Sequence, residues 1–371
     1  MRPETIAAQF QVPGQVVTVL AIETGNVNDT YRVIKRTSYS EVQFVLQRIN
    51  RLVFRDPGRV MANMKAITDY AHARLAEEAP EADRIWQLPL VIPTHEGTDT
   101  CVDEDGHHWR ALSMIASATS HETVLNPEHA YEAGFVVGHF HRIISDFPID
   151  QLADTLPGFH ITPGYLAQHD AVVQSAAARQ KLEASLEARR IERFIEERRG
   201  FATVLEDARE RGELGLRPIH GDPKITNIMM DDITGLGTAI IDLDTVKPGL
   251  VHYDFGDCVR SVCNPGGEES RDLKSVVFDL DAFKALVRGY LKASGDFLTD
   301  WDRHYLYDSI RLITFELGLR FFTDYLAGDI YFKTSYPAQN LNRARVQIKL
   351  CESIETRESM LRHILDGVGP A

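Results

Sequence analysis

The sequence predicts an α+β fold in two lobes, a small antiparallel sheet followed by a larger, mainly helical part. Alternating apolar segments fill the first fifty residues, helical spacing takes over from about residue 126, and short β-branched runs return near residues 217–245. At 371 residues the chain exceeds one ordinary core, which agrees with two lobes.

In the first part, "QVVTVLAI", "DTYRVIKR" and "VQFVLQRI" alternate as half-buried strands do, and "ETGNVN" and "TSYSE" between them carry turn chemistry. This predicts an antiparallel meander. "DPGRVMANMKAITDYAHARLAEE" then has helical spacing, opening at Asp56 with Pro57 just inside. Strand signals resume in "WQLPLVIPT", "TDTCVDE" and "HHWRALSMIAS", with "DEDGHH" as a hairpin turn. Residues 1–112 are therefore read as a sheet-rich N-terminal lobe with one helix.

The rest is helical in outline. "NPEHAYEAGFVVGHFHRIISDF" begins with Asn126 as cap and Pro127 at the first helical position. "LEASLEARRIERFIEERRGFATVLEDARERG" reads as one long amphipathic, solvated helical stretch, and helical periodicity dominates from Val276 onward.

Composition narrows the function. With 44% hydrophobic and 25% charged residues the chain is of the soluble globular type, and a net charge of -14 argues against a nucleic-acid partner. No run approaches the roughly 18 apolar residues of a membrane span, and the acidic Glu4, Glu23 and Asp29 argue against a signal peptide. The four cysteines form no CxxC pair, so reduced thiols in a cytoplasmic protein are expected. "HFH" at His139 and His141 lies in a helix, where residues two apart do not face one another, so no zinc site is expected there.

The chemistry concentrates in "IHGDPKITNIMMDDITGLGTAIIDLDT" (Ile219–Thr245), where polar groups stand at the ends of strand-like runs. His220, Asp222, Lys224 and Asn227 reproduce the frame of a kinase catalytic loop, with the Asp five residues before the Asn. In that frame Asp222 accepts the proton of an acceptor hydroxyl, Asn227 ligates magnesium, Asp242 on a neighbouring strand completes the metal site, and Lys224 reaches a transferring phosphate oxygen. His220 is read as a structural hydrogen-bonder.

At these residues the chain resembles the aminoglycoside phosphotransferase/choline kinase superfamily, and within it bacterial N-acetylhexosamine 1-kinases. "GNVNDTYRV", "FVLQRINRLVFRDP", "HGDPKITN", "IDLDTVKPGLVHYDFGDCVRS" and "RFFTDYLAGDIYFKTSYPAQNLNRARVQIKL" carry the resemblance, in the family's order. It implies a protein-kinase-like fold, ATP and Mg2+ as nucleotide and ion, Asp222 as base, and Asn227 and Asp242 as magnesium ligands. The segment holding Gly25, Asn26, Asn28 and Asp29 matches the nucleotide-covering hairpin, with Asn26 also on the acceptor side. "SMIAS" matches a hinge, residues 113–120, whose backbone at Ser113 and Ile115 binds adenine, and residues 121–371 follow as the C-terminal lobe. Two departures stand out: Gln47 occupies the place of the usual lysine, leaving Arg48 as candidate for the α/β-phosphate contact, and Ala62 occupies the place of a helical glutamate. A lysine–glutamate clamp is therefore not expected.

For the acceptor, "HYDFGDCVRS" offers Asp254, Asp257 and Arg260, and the late block offers Arg320, Asp324, Tyr325 and Tyr331. The leading expectation is ATP-dependent phosphorylation of an amino sugar, an N-acetylhexosamine, at its anomeric hydroxyl. An aminoglycoside or other small-alcohol kinase remains open, kept alive by the acidic residues just named, and so does a non-catalytic nucleotide-binding module. A sulfatase is rejected because "CNPGG" at Cys263 lacks the arginine such a nucleophile segment needs.

Overall fold

The computed structural model describes residues 2–22, 27–78 and 84–367. Its strands are β1 (Gln15–Ile22), β2 (Asp29–Arg36), β3 (Glu41–Arg48), β4 (Val91–Ile92), β5 (Cys101–Val102), β6 (His108–Ser113), β7 (Ala118–Ser120), β8 (Arg217–Ile219), β9 (Ile228–Asp231), β10 (Gly237–Ile240) and β11 (Lys247–Gly249). Its helices are α1 (Pro3–Ala7), α2 (Pro57–Glu77), α3 (Pro127–Ile144), α4 (Thr162–Val173), α5 (Ala176–Ala184), α6 (Leu186–Arg198), α7 (Val204–Glu210), α8 (Val251–Val262), α9 (Leu280–Ser294), α10 (Asp300–His304), α11 (Leu306–Ala327), α12 (Gln339–Glu355) and α13 (Glu358–Gly367).

The N-terminal lobe is an antiparallel sheet in the order β1-β2-β3-β6-β4, with β5 beside β6. Strand alternation gives the sheet two distinct faces. Phe44 and Leu46 of β3 and Trp109 and Ala111 of β6 pack outward under α1 with Phe10. Val45 and Leu112 point the other way, toward α2 and the main core. The strand expected over "WQLPLVIPT" shrinks to Val91–Ile92. Pro89 and Pro93 on either side have no N–H for a ladder, which confines pairing to the residues between them.

The C-terminal lobe is built on α3, α8, α9, α11 and α12, whose apolar faces share one large core, with a second cluster where α11 and α12 pack against α4, α5 and α6. Gly134 and Gly138 of α3 and Gly289 of α9 let those two helices meet backbone to backbone, since a Cβ on any of them would run into a carbonyl oxygen of the partner helix. The long helix expected over residues 182–212 is instead three, α5, α6 and α7. Ser185 leaves helical geometry with φ −123° and its hydroxyl caps Ala188, which ends one helix and starts the next.

Two small sheets carry the polar motif. β10-β9-β7 joins the segment after β6 to the hairpin that ends at Asp242, and β11-β8 leads into the loop of residues 220–227. No helix among the described residues is long and apolar enough to cross a membrane.

Candidate active site

The loop of residues 220–227 hangs from a buried carboxylate. Asp254 of α8 is wholly buried and accepts the backbone N–H of His220 (2.7 Å) and of Gly221 (2.8 Å), while His141 Nε2 of α3 donates to it at 2.8 Å. Burial works against its charge, but the His141 bond and these amides outweigh burial and hold its pKa below the usual carboxylate value. Asp254, expected on the acceptor side, is therefore an anchor for the loop. Gly221 is needed here: its φ is +89°, and a Cβ would strike the carbonyl oxygen of Thr245.

His220 makes two hydrogen bonds to backbone, in keeping with its reading as a structural hydrogen-bonder. Its Nδ1 accepts the Asp222 N–H at 3.2 Å, so Nε2 carries the proton and donates to the Ile241 carbonyl at 2.9 Å. Burial pushes its pKa down, in keeping with this neutral tautomer.

Asp222 stands at the loop's exposed end. Oδ2 accepts from Lys224 Nζ at 2.7 Å and, more weakly, from Asn227 Nδ2 at 3.4 Å, while Oδ1 takes no hydrogen bond among the described residues. Burial would raise its pKa, but the Lys224 ammonium outweighs burial and keeps the carboxyl below its ordinary value. Asp222 is thus an ionised carboxylate with one oxygen open to the cleft.

Asn227 and Asp242 meet because β9 and β10 pair with Ile228 opposite Ile240, and Ile241 N–H then donates to the Asn227 carbonyl at 2.9 Å. Asn227 Nδ2 donates to the Asp222 carbonyl oxygen at 2.7 Å, which fixes the amide, and its oxygen accepts no hydrogen bond among the described residues. Asp242 adopts a left-handed backbone, φ 65° and ψ 55°, a conformation that costs a non-glycine residue roughly 1–3 kcal/mol. The residue is exposed, yet the protein around its carboxyl, and then the nearby Asp244 carboxylate, push its pKa up to about 7. A carboxylate so short of compensating charge, next to an oriented amide oxygen, fits a hard divalent cation.

The cleft beside Asp222 holds a cavity of about 580 Å3. Its aromatic lining includes Phe159, Phe321, Tyr331 and Phe332. The Arg320 guanidinium lies 4.8–5.9 Å from the rings of Phe159, Tyr165, Tyr331 and Phe332 and 3.8 Å from Glu316. Arg260 donates to Asp257 Oδ1 at 2.9 and 2.7 Å, and Asp257 Oδ2 is buried without a hydrogen-bond partner. His160 donates from Nε2 to the Gly221 carbonyl (2.8 Å) and from Nδ1 to Glu316 (3.0 Å). Both partners only accept, so both ring nitrogens carry protons; burial opposes the charge, but Glu316 outweighs it and the pKa is raised.

Other expected residues lie elsewhere. Gly25 and Asn26 fall outside the described residues. Arg48 pairs with Asp29 across β2–β3 and sits 5.9 Å from the Trp109 ring, on the outer face of the sheet. Strand alternation thus turns Arg48 and Asp29 away from the cleft and corrects the phosphate contact expected of Arg48. Asn28 donates to Asp244 at 2.6 Å. In the hinge, the Ser113 N–H is taken by the Leu90 carbonyl, Ile115 is buried, and Ala116 is engaged at both its N–H and carbonyl by the Gln87 side chain. Tyr325 stacks near Phe322 with Lys181 4.6 Å over its ring, facing α5 instead of the cavity. Asp324 accepts the N–H groups of Ile330, Tyr331 and Phe332 and so shapes the loop that carries the two cleft aromatics.

Residues that sequence reasoning passed over include Arg110, Asp244, His160 and Glu316. An arginine inside the apolar strand "HWRALS" was a readable sign of a buried ion pair; His160 and Glu316, 156 residues apart, left no local sign.

A family model described as the phosphotransferase enzyme family matches residues 18–307, most of the chain. The chain belongs to this family. As a small-molecule phosphotransferase by family, it shares its fold with solved structures of low identity. A microcompartment-associated aminopropanol kinase is 18% identical with a TM-score of 0.61, over 97% of each chain. An aminoglycoside phosphotransferase from Alicyclobacillus acidocaldarius subsp. acidocaldarius DSM 446 is 12% identical with a TM-score of 0.59, over 99% of this chain and 97% of that one. A spectinomycin phosphotransferase in complex with ADP and spectinomycin is 11% identical with a TM-score of 0.55, over 92% and 94%. At these identities the phosphotransferase fold is what they share with this chain.

Proposed function

We propose that this phosphotransferase transfers the γ-phosphoryl group of ATP to the anomeric hydroxyl of a free N-acetylhexosamine, giving the sugar 1-phosphate. The observation that carries the acceptor class is charge pairing in the cleft. Among the described lining residues six carboxylates face five lysines and arginines and the His160 imidazolium. Asp257 and Glu268 pair with Arg260, Glu269 with Arg343, and Glu316 with His160. Only Glu122, exposed at the rim, lacks such a partner. A polycationic drug or an amino alcohol needs carboxylates free to meet its charge, and here they are spent. A neutral polyhydroxylated ring suits the site, whose aromatic lining offers faces for its apolar side and whose internally paired charges offer polar partners for its hydroxyls. Arg320, which donates no hydrogen bond to the described protein, suits an acceptor oxygen such as an amide carbonyl.

In this reading Asp222 Oδ1 takes the proton as the acceptor oxygen bonds to the γ-phosphorus and the bond to ADP breaks. A base so placed contributes about 10²–10⁴-fold. The anomeric hydroxyl is more acidic than an ordinary alcohol, which suits a base whose own pKa is held low. Lys224 lies between Asp222 and Asp242, where burial opposes its charge but the two carboxylates outweigh it, so it stays an ammonium able to meet phosphate oxygens. Asn227 and Asp242 would hold Mg2+, which when bound neutralises phosphate charge. The nucleotide itself is proposed by analogy with the ADP in the spectinomycin phosphotransferase complex.

An ADP-release assay across N-acetylglucosamine, N-acetylgalactosamine, their methyl glycosides, aminoglycosides, choline and aminopropanol tests the reading. The free sugars are expected to turn over and the methyl glycosides not, with a product phosphate labile in mild acid. Turnover of only the cationic acceptors would sink the sugar assignment.

A further inference from the structure

Where the resemblance leads one to expect a lysine and a helical glutamate, this chain has Gln47 and Ala62. The vacated place is not left apolar. Gln47 and Arg110 are directly opposed across β3 and β6, and the Gln47 carboxamide oxygen accepts Arg110 Nε at 2.9 Å and Nη2 at 2.8 Å. The Gln47 amide in turn donates to Thr30 Oγ1 at 3.1 Å, which fixes its orientation. Arg110 is 0% exposed, so its guanidinium reaches no phosphate. It forms an ion pair with Asp244 Oδ1 instead.

Asp244 lies two residues beyond Asp242, in the turn that closes the metal hairpin. Two further side chains of the N-terminal lobe grip the same turn. Asn28, just ahead of β2, donates to Asp244 Oδ2 at 2.6 Å and is itself set by the Asn50 N–H, 3.0 Å from its Oδ1. Asn63 of α2, one residue past Ala62, donates to the Val246 carbonyl at 2.9 Å. Asp242, at the head of this turn, holds its left-handed backbone with no hydrogen bond to its own carboxylate among the described residues. Its orientation therefore depends on what the rest of the turn is tied to. Two carboxylates this close repel in a low-dielectric setting unless one is neutralised, and the buried Arg110 guanidinium neutralises Asp244.

We propose that Arg110 is a positioning residue that, through Asp244, aims Asp242 into the cleft. The N-terminal lobe is coupled to the nucleotide–metal site through this buried arginine–aspartate pair, in place of a lysine that touches phosphate. The proposal rests on the reading of Asp242 as a metal ligand and is independent of which acceptor the enzyme takes.

The test is calorimetric titration of the full-length protein with ADP, with and without Mg2+ and with no acceptor present. The readout is the factor by which Mg2+ strengthens ADP binding. Asp242→Asn should abolish that factor. Arg110→Gln should cut it by about 10–100-fold, as loss of an outer-shell partner does, while metal-free ADP affinity stays near wild type. Arg110→Lys, which keeps the charge and loses the fork, should fall between. If Arg110→Gln does not fold, Asn28→Ala removes the other hold on Asp244 from a half-exposed position and should lower the same factor. An Mg2+ factor left unchanged in Arg110→Gln, or in Asn28→Ala where that variant stands in for it, beside a lost factor in Asp242→Asn overturns the positioning role and leaves the metal assignment standing. A factor retained in Asp242→Asn overturns both. Loss of ADP affinity to the same extent without metal would mark Arg110 as general scaffolding and also overturn the proposal.

Discussion

Arg110 and Arg320 come from opposite sides of the cleft, one from the sheet above it and one from the helix that walls it. Arg110 spends its donors on Gln47 and the Met61 sulfur, pairs its charge with Asp244 and shows nothing to solvent. Arg320 sits among four rings with its nearest carboxylate oxygen 3.8 Å away and donates no hydrogen bond to the described protein. A guanidinium has five donors in a rigid fork, so where those donors go tells what the residue serves. The first serves the chain itself. The second leaves its donors unspent on the described protein, which is what the proposed acceptor contact requires.

Two substitutions can break that contrast, and a third sharpens the picture of the Glu316 carboxylate beside Arg320. The largest effect is expected from Arg110→Met, which leaves Asp244 buried beside Asp242 without its cation and should cost about 3–5 kcal/mol of folding stability. Denaturant unfolding measures it, and Arg110→Met with Asp244→Leu should regain much of the loss. Arg320→Lys comes second. Its folding stability should stay close to wild type, while acceptor KM rises by about 10–100-fold, matching the roughly 1.5–3 kcal/mol of a charged hydrogen bond. If Arg320→Lys unfolds as readily as Arg110→Met, the two arginines do the same job and the contrast fails.

The smallest effect concerns pH. The folded pKa of His160 is raised, so its ion pair with Glu316 contributes fully below the unfolded value of about 6.5 and fades as pH rises through the folded value. The difference in Tm between wild type and His160→Gln should therefore shrink from pH 6 toward pH 9. A difference that stays constant across that range would mean that His160 is neutral in the folded protein.

What could be read in the sequence follows from distance along the chain. Asp222 and Asn227 lie in one loop and Asp242 ends the next hairpin, so their meeting needs only short-range pairing that spacing already encodes. The sheet strands were legible for the same reason, down to Gln15–Ile22 and Asp29–Arg36. The position of Arg48 was misjudged because period-two alternation places it on the face opposite Gln47, and facing is set by the whole sheet. Asp254, Asp324 and Tyr325 were placed at the acceptor by proximity to the motifs. Packing instead turned Asp254 beneath the loop, Asp324 into a turn of backbone amides and Tyr325 toward Lys181. None of those three outcomes follows from local sequence, because each depends on which distant element arrives beside the residue.

The glycine contact between α3 and α9 has a bearing on motion. Two helices that touch through their main chains have no rotamers between them to relax, so the pair must move as a single rigid keel. His141 on α3 and Tyr290 on α9 stand on that keel, 3.1 Å apart, and His141 holds the carboxylate from which the catalytic loop is hung. The loop therefore rides with the keel whenever the lobes breathe. Residues 114–117, by contrast, lie outside any strand, and Ser117 turns there through a left-handed φ of 53°. Amide hydrogens should exchange slowly along α3 and quickly across that short span.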